Sequence, residues 1–201
     1  MDYTITDICN MALNHIGRES IASLHEETEA ARTCKIHYDI QRRVLLRAYN
    51  WSFAKKTDKL ALIDKKVPGW GFVYAYPPDC VQARKIFNET NTWVVLHKNF
   101  KGNMDQVVLN DNTKAIVCNH ADAYLEYIYD VKDVNLFTDD FAQALSYYLA
   151  GAIAVPLTGS AVLGQQMQSM GSQLLQEAKF TQMEERNKVP EYPSKYYQAR
   201  W

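Results

Sequence analysis

Between Phe141 and Gly159 the chain reads FAQALSYYLAGAIAVPLTG, nineteen residues without one charge. A helix so apolar belongs either in the hydrocarbon of a bilayer or in the middle of a protein core. Gln143, Ser146, Tyr147, Tyr148 and Thr158 interrupt the apolar run, and Pro156 is expected to stop the helix near Val155. About fifteen helical residues at 1.5 Å each fall short of a hydrocarbon layer about 30 Å thick, so the sequence predicts a buried helix of a water-soluble protein. Thr138, Asp139 and Asp140 supply an N-cap and negative charge at the positive end of the helix dipole. Phe141, Leu145, Leu149, Ala152 and Ile153 mark one face, and Ala142, Ala144, Ala150, Gly151 and Ala154 fill much of the rest, which suits a central helix approached by several neighbours.

The rest of the chain is ordinary globular sequence. It has 201 residues, 47% hydrophobic and 22% charged, enough for one domain with its own core or a main domain carrying an insertion. The 22 basic and 23 acidic residues nearly cancel, so any contact with nucleic acid or anionic lipid would be local. Cys9, Cys34, Cys80 and Cys118 form no C-x-x-C pair and no signal peptide precedes them, which reads as reduced thiols in a cytosolic setting.

Helical periodicity comes first. One helix is expected after Thr4 or Thr6, with Ile8, Ala12, Leu13 and Ile16 inward and Gly17 as its stop. A second runs from about Thr28 to about Trp51, its inner stripe traced by Cys34, Tyr38, Leu45 and Ala48, with Arg32, Lys35, Asp39, Arg42, Arg43 and Arg47 falling away from it. From Leu60 to Tyr129 the period changes to two, with candidate strands at 60–63, 71–76, 81–87, 92–97, 106–109, 115–118 and 124–129 between Pro-, Gly-, Asn- and Asp-rich turns, predicting a small antiparallel meander or barrel. Beyond the uncharged helix and a hinge at 156–160, a fourth helix spans Ala161 to about Arg186, with Leu163, Met167, Met170, Leu174 and Ala178 as its stripe. Pro190 and Pro193 prevent that helix from continuing, so residues 189–201 are expected to be an extended tail. The fold class is therefore α+β, a mainly helical domain (1–57 and 134–188) of four helices carrying an antiparallel β insertion (58–133) between the second and third, followed by the tail (189–201).

The search for chemistry finds no G-x-S-x-G, Walker A, G-x-G-x-x-G, H-E-x-x-H or kinase motif. His15, His25, His37, His97 and His120 stand singly; Cys118 with His120 is half a metal site at most, and His37, Asp39 and Arg42 point in different directions on a helix. No catalytic set, metal site or cofactor is expected. Arg42, Arg43 and Arg47 form a basic face that suits solvent, acidic groups of a neighbouring subunit, or phosphate. In the tail, Tyr192, Tyr196, Tyr197 and Trp201 have few residues able to bury them, so that segment either packs on its own domain or docks on another chain.

Three stretches taken in order carry a resemblance: ALNHIGRESIASLHEETEAARTCKIHYDIQRRVLLRAYNWSFAKK, YAYPPDCVQARKIF and LEYIYDVKDVNLFTDDFAQALSYYLAGAIAVPLTGS. Their marks are an Ile-Gly stop to the first helix, an Arg-x-x-x-Trp-x-Phe-Ala end to the second, a Tyr-Pro-Pro-Asp turn into a strand, and a Pro-Leu-Thr corner. In that order and over most of the chain, the sequence resembles the tail tubular protein A family of short-tailed bacteriophages, which are head-to-tail adaptors (connectors). The resemblance implies a structural virion protein of the tail or neck, made in the host cytoplasm. It implies a homo-oligomeric ring of about twelve subunits, a dodecamer, closed by rotational symmetry between the portal and the tail nozzle protein. Genomic DNA would pass through the ring during ejection without sequence-specific binding, and no membrane is involved. The helices would form the ring wall and the β section would project towards the tail. The C-terminal segment, with Tyr192, Lys195, Tyr196, Tyr197, Arg200 and Trp201, would bind the portal, while Arg42, Arg43 and Arg47 would face a ring interface or the channel.

Two other classes fit the residues less well. A small cell-wall-active hydrolase associated with the tail would need a carboxylate pair, for which Glu126, Asp130 and Asp133 are the candidates because they cluster in sequence, although solvent-facing positions are expected for them. A DNA-binding module would use the Arg42, Arg43 and Arg47 face.

Overall fold

A computed structural model of the chain describes residues 3–88 and 104–186. The helices are α1 (Ile5–His15), α2 (Glu29–Ala48), α3 (Asp139–Thr158) and α4 (Ala161–Arg186). Among the described residues six strands lie between α2 and α3: β1 (Lys55–Lys59), β2 (Phe72–Ala75), β3 (Cys80–Phe87), β4 (Met104–Val108), β5 (Lys114–Cys118) and β6 (Tyr124–Tyr129). The α+β class, with four helices and an antiparallel β section between the second and third, is what the sequence predicts. The expected strand at 92–97 and the expected tail at 189–201 lie outside the described residues.

By its contacts the described chain divides into two compact units, one of Asp39–Leu136 and one of Tyr3–Tyr38 with residues 137–186. The division falls within α2, whereas the sequence places the boundary near residues 57 and 58. The C-terminal half of α2 is held by the β section: Arg42 bonds Asp130 at 2.7 Å, and Arg84 of β3 donates to the Tyr49 carbonyl at 2.7 Å.

In the helical unit, α1 starts at a capping box. Thr4 Oγ1 accepts from the Asp7 amide at 3.1 Å, while the Thr4 amide donates to Asp7 at 2.9 Å. Those bonds from Thr4 hold the Asp7 carboxyl below its ordinary value. The helix stops at Gly17, whose φ of 69° lies in the left-handed region that favours glycine. Ile8, Ala12, Leu13 and Ile16 are buried as the period predicts, Cys9 is buried beside them, and Asn10 clasps the following loop through both its amide groups, to the Ile21 carbonyl at 3.0 Å and the Ile21 amide at 2.9 Å.

The expected stop at Pro156 does not hold. α3 continues for three residues beyond Val155, to Thr158, and ends at Gly159, φ 72°. Proline in a final turn forfeits one amide bond, yet its fixed φ suits a helix. The last carbonyls find partners, since Thr158 Oγ1 donates to Ala154 at 2.6 Å and the Gly159 amide to Val155 at 2.9 Å. The length argument against a membrane therefore lapses: α3 is long and apolar enough to cross one, and burial is what describes it instead. Phe141, Leu145, Leu149, Ile153 and the alanines at 142, 144, 150 and 154 are buried within the unit, against α1 and α4. The Thr138 backbone is extended as a cap should be, but its hydroxyl makes no capping bond.

α3 and α4 meet through glycines, a seam that apolar periodicity does not reveal. A Cβ at Gly151 would sit 3.2 Å from the Gly164 carbonyl oxygen, and one at Gly164 would sit 3.2 Å from that of Gly151. One at Gly171 would lie 2.9 Å from the Tyr148 ring. Gly164, Gly171, Leu175, Ala178 and Gln182 are the buried line of α4, and the expected Met170 is 43% exposed.

In the β unit, one antiparallel sheet has the order β1-β6-β3 and the other β2-β5-β4, so the last strand lies in the middle of one sheet and the topology is not a meander. A core of Leu60, Tyr74, Ala83, Ile86, Ile116, Leu125 and Tyr127 draws on both sheets. The opposite side of β5 is covered by Val73, Ile63, Val67 and Trp70, so four successive β5 residues, Ala115 to Cys118, are buried where alternation would expose half of them. The 60–63 segment makes only an isolated bridge, Leu62 to Tyr74. The strand that takes its place is β1, KKTDK, which has no apolar period. It is an edge strand, its backbone paired to β6 and its side chains to carboxylates, as in Lys55–Glu126 at 2.9 Å and Lys59–Asp122 at 2.9 Å.

Candidate functional site

The surface that combines charge with large exposed apolar groups lies on the C-terminal half of α2. Ile40 and Val44 are one turn apart and half exposed, at 50% and 49%. Arg43 and Arg47 share that outward side and are also exposed. Together with Pro78, Asp79, Cys80, Val81 and Asp130 they line a shallow groove of about 380 Å³. The groove has this form because the sequence ends α2 sharply: Trp51 is fully buried and donates its indole N–H to the Leu45 carbonyl at 2.9 Å, and Arg84 donates to the Arg47 and Tyr49 carbonyls. The Arg-x-x-x-Trp-x-Phe-Ala motif is thus the closure of the helix, and α2 ends at Ala48 rather than at Trp51.

Arg42 is not part of the basic face. It is 2% exposed, and its guanidinium donates to Asp130 at 2.7 Å, to Asp39 at 3.0 Å and to the Val131 carbonyl. Position alone puts Arg42 on the inner stripe, four residues after Tyr38 and three before Leu45, and only its residue type suggests the outward side; the inner stripe contains Arg42 and Leu46, and Ala48 is exposed. Arg42→Met is expected to cost about 2–3 kcal/mol, below the usual range for opening a buried pair because Asp130 at 22% and Asp39 at 64% exposure can regain water. Arg43→Ala and Arg47→Ala should each stay within about 0.5 kcal/mol of the parent. Urea unfolding of the three variants checks this ordering.

That pairing engages the carboxylates of the groove and leaves two of its arginines without one among the described residues. Asp130 shares Arg42 with Asp39, and Asp79 accepts from Lys56 at 3.2 Å and from the Tyr127 hydroxyl at 3.0 Å. Asp58 completes that cluster, taking Lys56 at 2.9 Å and Tyr127 at 2.8 Å, and the bond from Lys56 holds its carboxyl below its ordinary value. Burial, then the bond to Asp58, raises the Tyr127 phenol. Arg43 and Arg47 have no carboxylate partner among the described residues; Arg43 donates only to the Asp39 carbonyl, at 3.3 Å. The groove offers two available cations beside two aliphatic side chains, which suits an acidic, apolar surface.

The sequence candidates for catalysis are each otherwise engaged. Glu126 is paired to Lys55 through Oε2 and only 12% exposed, against the expectation that it faces solvent, with its Oε1 buried and without a hydrogen-bond partner among the described residues; Asp130 is held by Arg42; and Asp133 accepts from the Asn135 amide at 3.0 Å. The Cys118 thiol is directed at the His120 carbonyl, at 3.5 Å, and burial raises it. In the helical unit His15 stacks on Tyr147 at 3.8 Å and contacts Ser146 at 3.1 Å. The Ser146 hydroxyl donates to the Gln143 carbonyl at 2.7 Å, so its proton is committed there and His15 acts as the donor rather than as a base. Comparison with protein families and with curated proteins gives no match for this chain. The residues expected to bind the portal, Tyr192, Lys195, Tyr196, Tyr197, Arg200 and Trp201, lie outside the described residues.

A second exposed face, on α4, has no signature in a stripe search because it lies opposite the buried line. Val162 is 65% exposed, Phe180 66% and Met183 48%. Glu177 and Glu184, one turn to either side of Phe180, are exposed and have no partner among the described residues.

Proposed function

We propose that the protein is a head-to-tail adaptor of a short-tailed phage virion, a homo-oligomeric ring between portal and tail nozzle around the DNA path. The observation that carries this reading is the exposure of large apolar groups on helix faces of an otherwise well-packed chain. Ile40 and Val44 on α2, and Phe180 and Met183 on α4, are what a subunit completed by assembly presents. The ordered resemblance of three long stretches to the adaptor family supports it independently. So do the engaged states of Glu126, Asp130 and Arg42, which leave those groups to hold the fold. The role is structural, without a cofactor, and the aromatic tail is the portal contact.

The test is to mix the purified chain with portal rings and image the product by cryo-electron microscopy. A closed ring of this chain seated on the portal is the expected result, and deletion of Tyr192 to Trp201 should sharply weaken its attachment. Portal particles bare of the chain at saturating concentration overturn the reading. Salt-sensitive binding of the isolated chain to duplex DNA, lost in Arg43→Ala/Arg47→Ala, would instead favour a DNA-binding module.

A further inference from the structure

We infer that the groove beside α2 is the docking site for the outer face of α4 from a second copy of this chain. The inference rests on the homo-oligomeric reading above and names the contact. The two surfaces are complementary in both charge and polarity. The groove presents Arg43 and Arg47 around Ile40 and Val44, while its carboxylates, Asp79 and Asp130, are held by Lys56 and Arg42, cations they share with Asp58 and Asp39. The helix face presents Glu177 and Glu184 around Phe180 and Met183, all exposed. Spacings of three, four and seven residues place Glu177, Phe180 and Glu184 on one side of α4. An amphipathic helix laid in a groove is read through such i, i+3 and i+7 anchors. Phe180 enters between the aliphatic side chains, and each glutamate meets a guanidinium at the rim.

The contact joins two different surfaces, so it is heterologous and repeats from copy to copy, as a closed assembly or a filament requires. A second copy is the occupant favoured here because both halves of the match lie on this one chain.

Charge reversal tests it. Arg43→Glu/Arg47→Glu changes only the groove, and Glu177→Lys/Glu184→Lys changes only the helix face. Self-association of the full chain is measured by sedimentation, alone and on portal rings, with melting curves confirming that each variant is folded. Each reversal should weaken association at least tenfold. An equimolar mixture of the two should restore it, because every junction between unlike variants pairs opposite charges whichever of them supplies the groove, and an alternating assembly contains only such junctions. Phe180→Ala should weaken association in the same range without altering the salt dependence that the charged pairs confer. Undiminished association of either reversal, or failure of the mixture to recover, overturns the docking. Rings that form normally on the portal with both reversals overturn the docking but leave the adaptor reading intact, whereas absence of rings from the parent chain removes both.

Discussion

Gly164→Leu is expected to destabilise the helical unit by about 3 kcal/mol or more, near the upper end of what overpacking costs. At this position α4 touches α3 backbone to backbone: a methyl group alone would stand 3.2 Å from the Gly151 carbonyl oxygen and 3.6 Å from the Ala154 Cβ. A leucine has no room to turn away, because the obstacle is a carbonyl of a helix rather than the end of a flexible side chain. The helices must separate, which would strip contacts from the seam that continues through Gly171, Leu175 and Ala178. Gly164→Ala is the graded control. It recovers about 1 kcal/mol of helix propensity, so its net loss should be small. Gln165→Leu, one residue along and exposed, should stay within about 0.5 kcal/mol of the parent. Chemical unfolding of the three variants gives the order, and a Gly164→Leu protein as stable as Gln165→Leu would show that the helices do not pack at this distance.

The seam also shows what a sequence read for periodicity can miss. Apolar spacing marks residues that fill space, and it placed α1 well because Ile8, Ala12 and Leu13 do fill space. Where two helices approach by leaving space empty, the determining residues are Gly151, which the small residues of α3 already mark as a place for close approach, and Gly164 and Gly171, which an apolar count treats as neutral. Strand β1 was hidden for a related reason: an edge strand can be held by backbone bonds and lysine pairs alone, without an inward face. In β5 the reverse applies, and a continuous apolar run, AIVC, signals a strand covered on both sides.

At the candidate site the legible part was that α2 carries cations away from its main stripe. Spacing already sets Arg42, four residues after Tyr38 and three before Leu45, apart from Arg43, but the partner that could hold an arginine there was not legible. Only the placement of Asp130 and the Val131 carbonyl, far along the chain at the end of β6, decides that Arg42 is consumed and Arg43 is not. The α4 face was invisible because Phe180 and Met183 are each unremarkable in a helical sequence until the buried side of that helix is known.

The second large effect is expected at Leu149. It is fully buried on α3, and Leu149→Asp would place a carboxylate among side chains such as Leu145 and Ile153 that offer it no hydrogen-bonding group. Charging it there costs several kcal/mol, and protonating it to escape that cost still leaves a buried hydroxyl and carbonyl to satisfy. Against a total stability of about 5–15 kcal/mol, the change would unfold many domains outright. The same helix supplies its own control, because Val155 is 51% exposed. Val155→Lys puts a cation near the helix C-terminus, where the dipole favours it, so in water it should be near neutral. A bilayer would penalise both substitutions, because lipid would surround the outward side of α3 as closely as protein surrounds the inward side. Loss of the folded state in Leu149→Asp with an unchanged melting transition in Val155→Lys is the pattern a water-soluble core helix requires. Comparable loss in both would place α3 in hydrocarbon, and tolerance of both would show that the helix is not central to the unit.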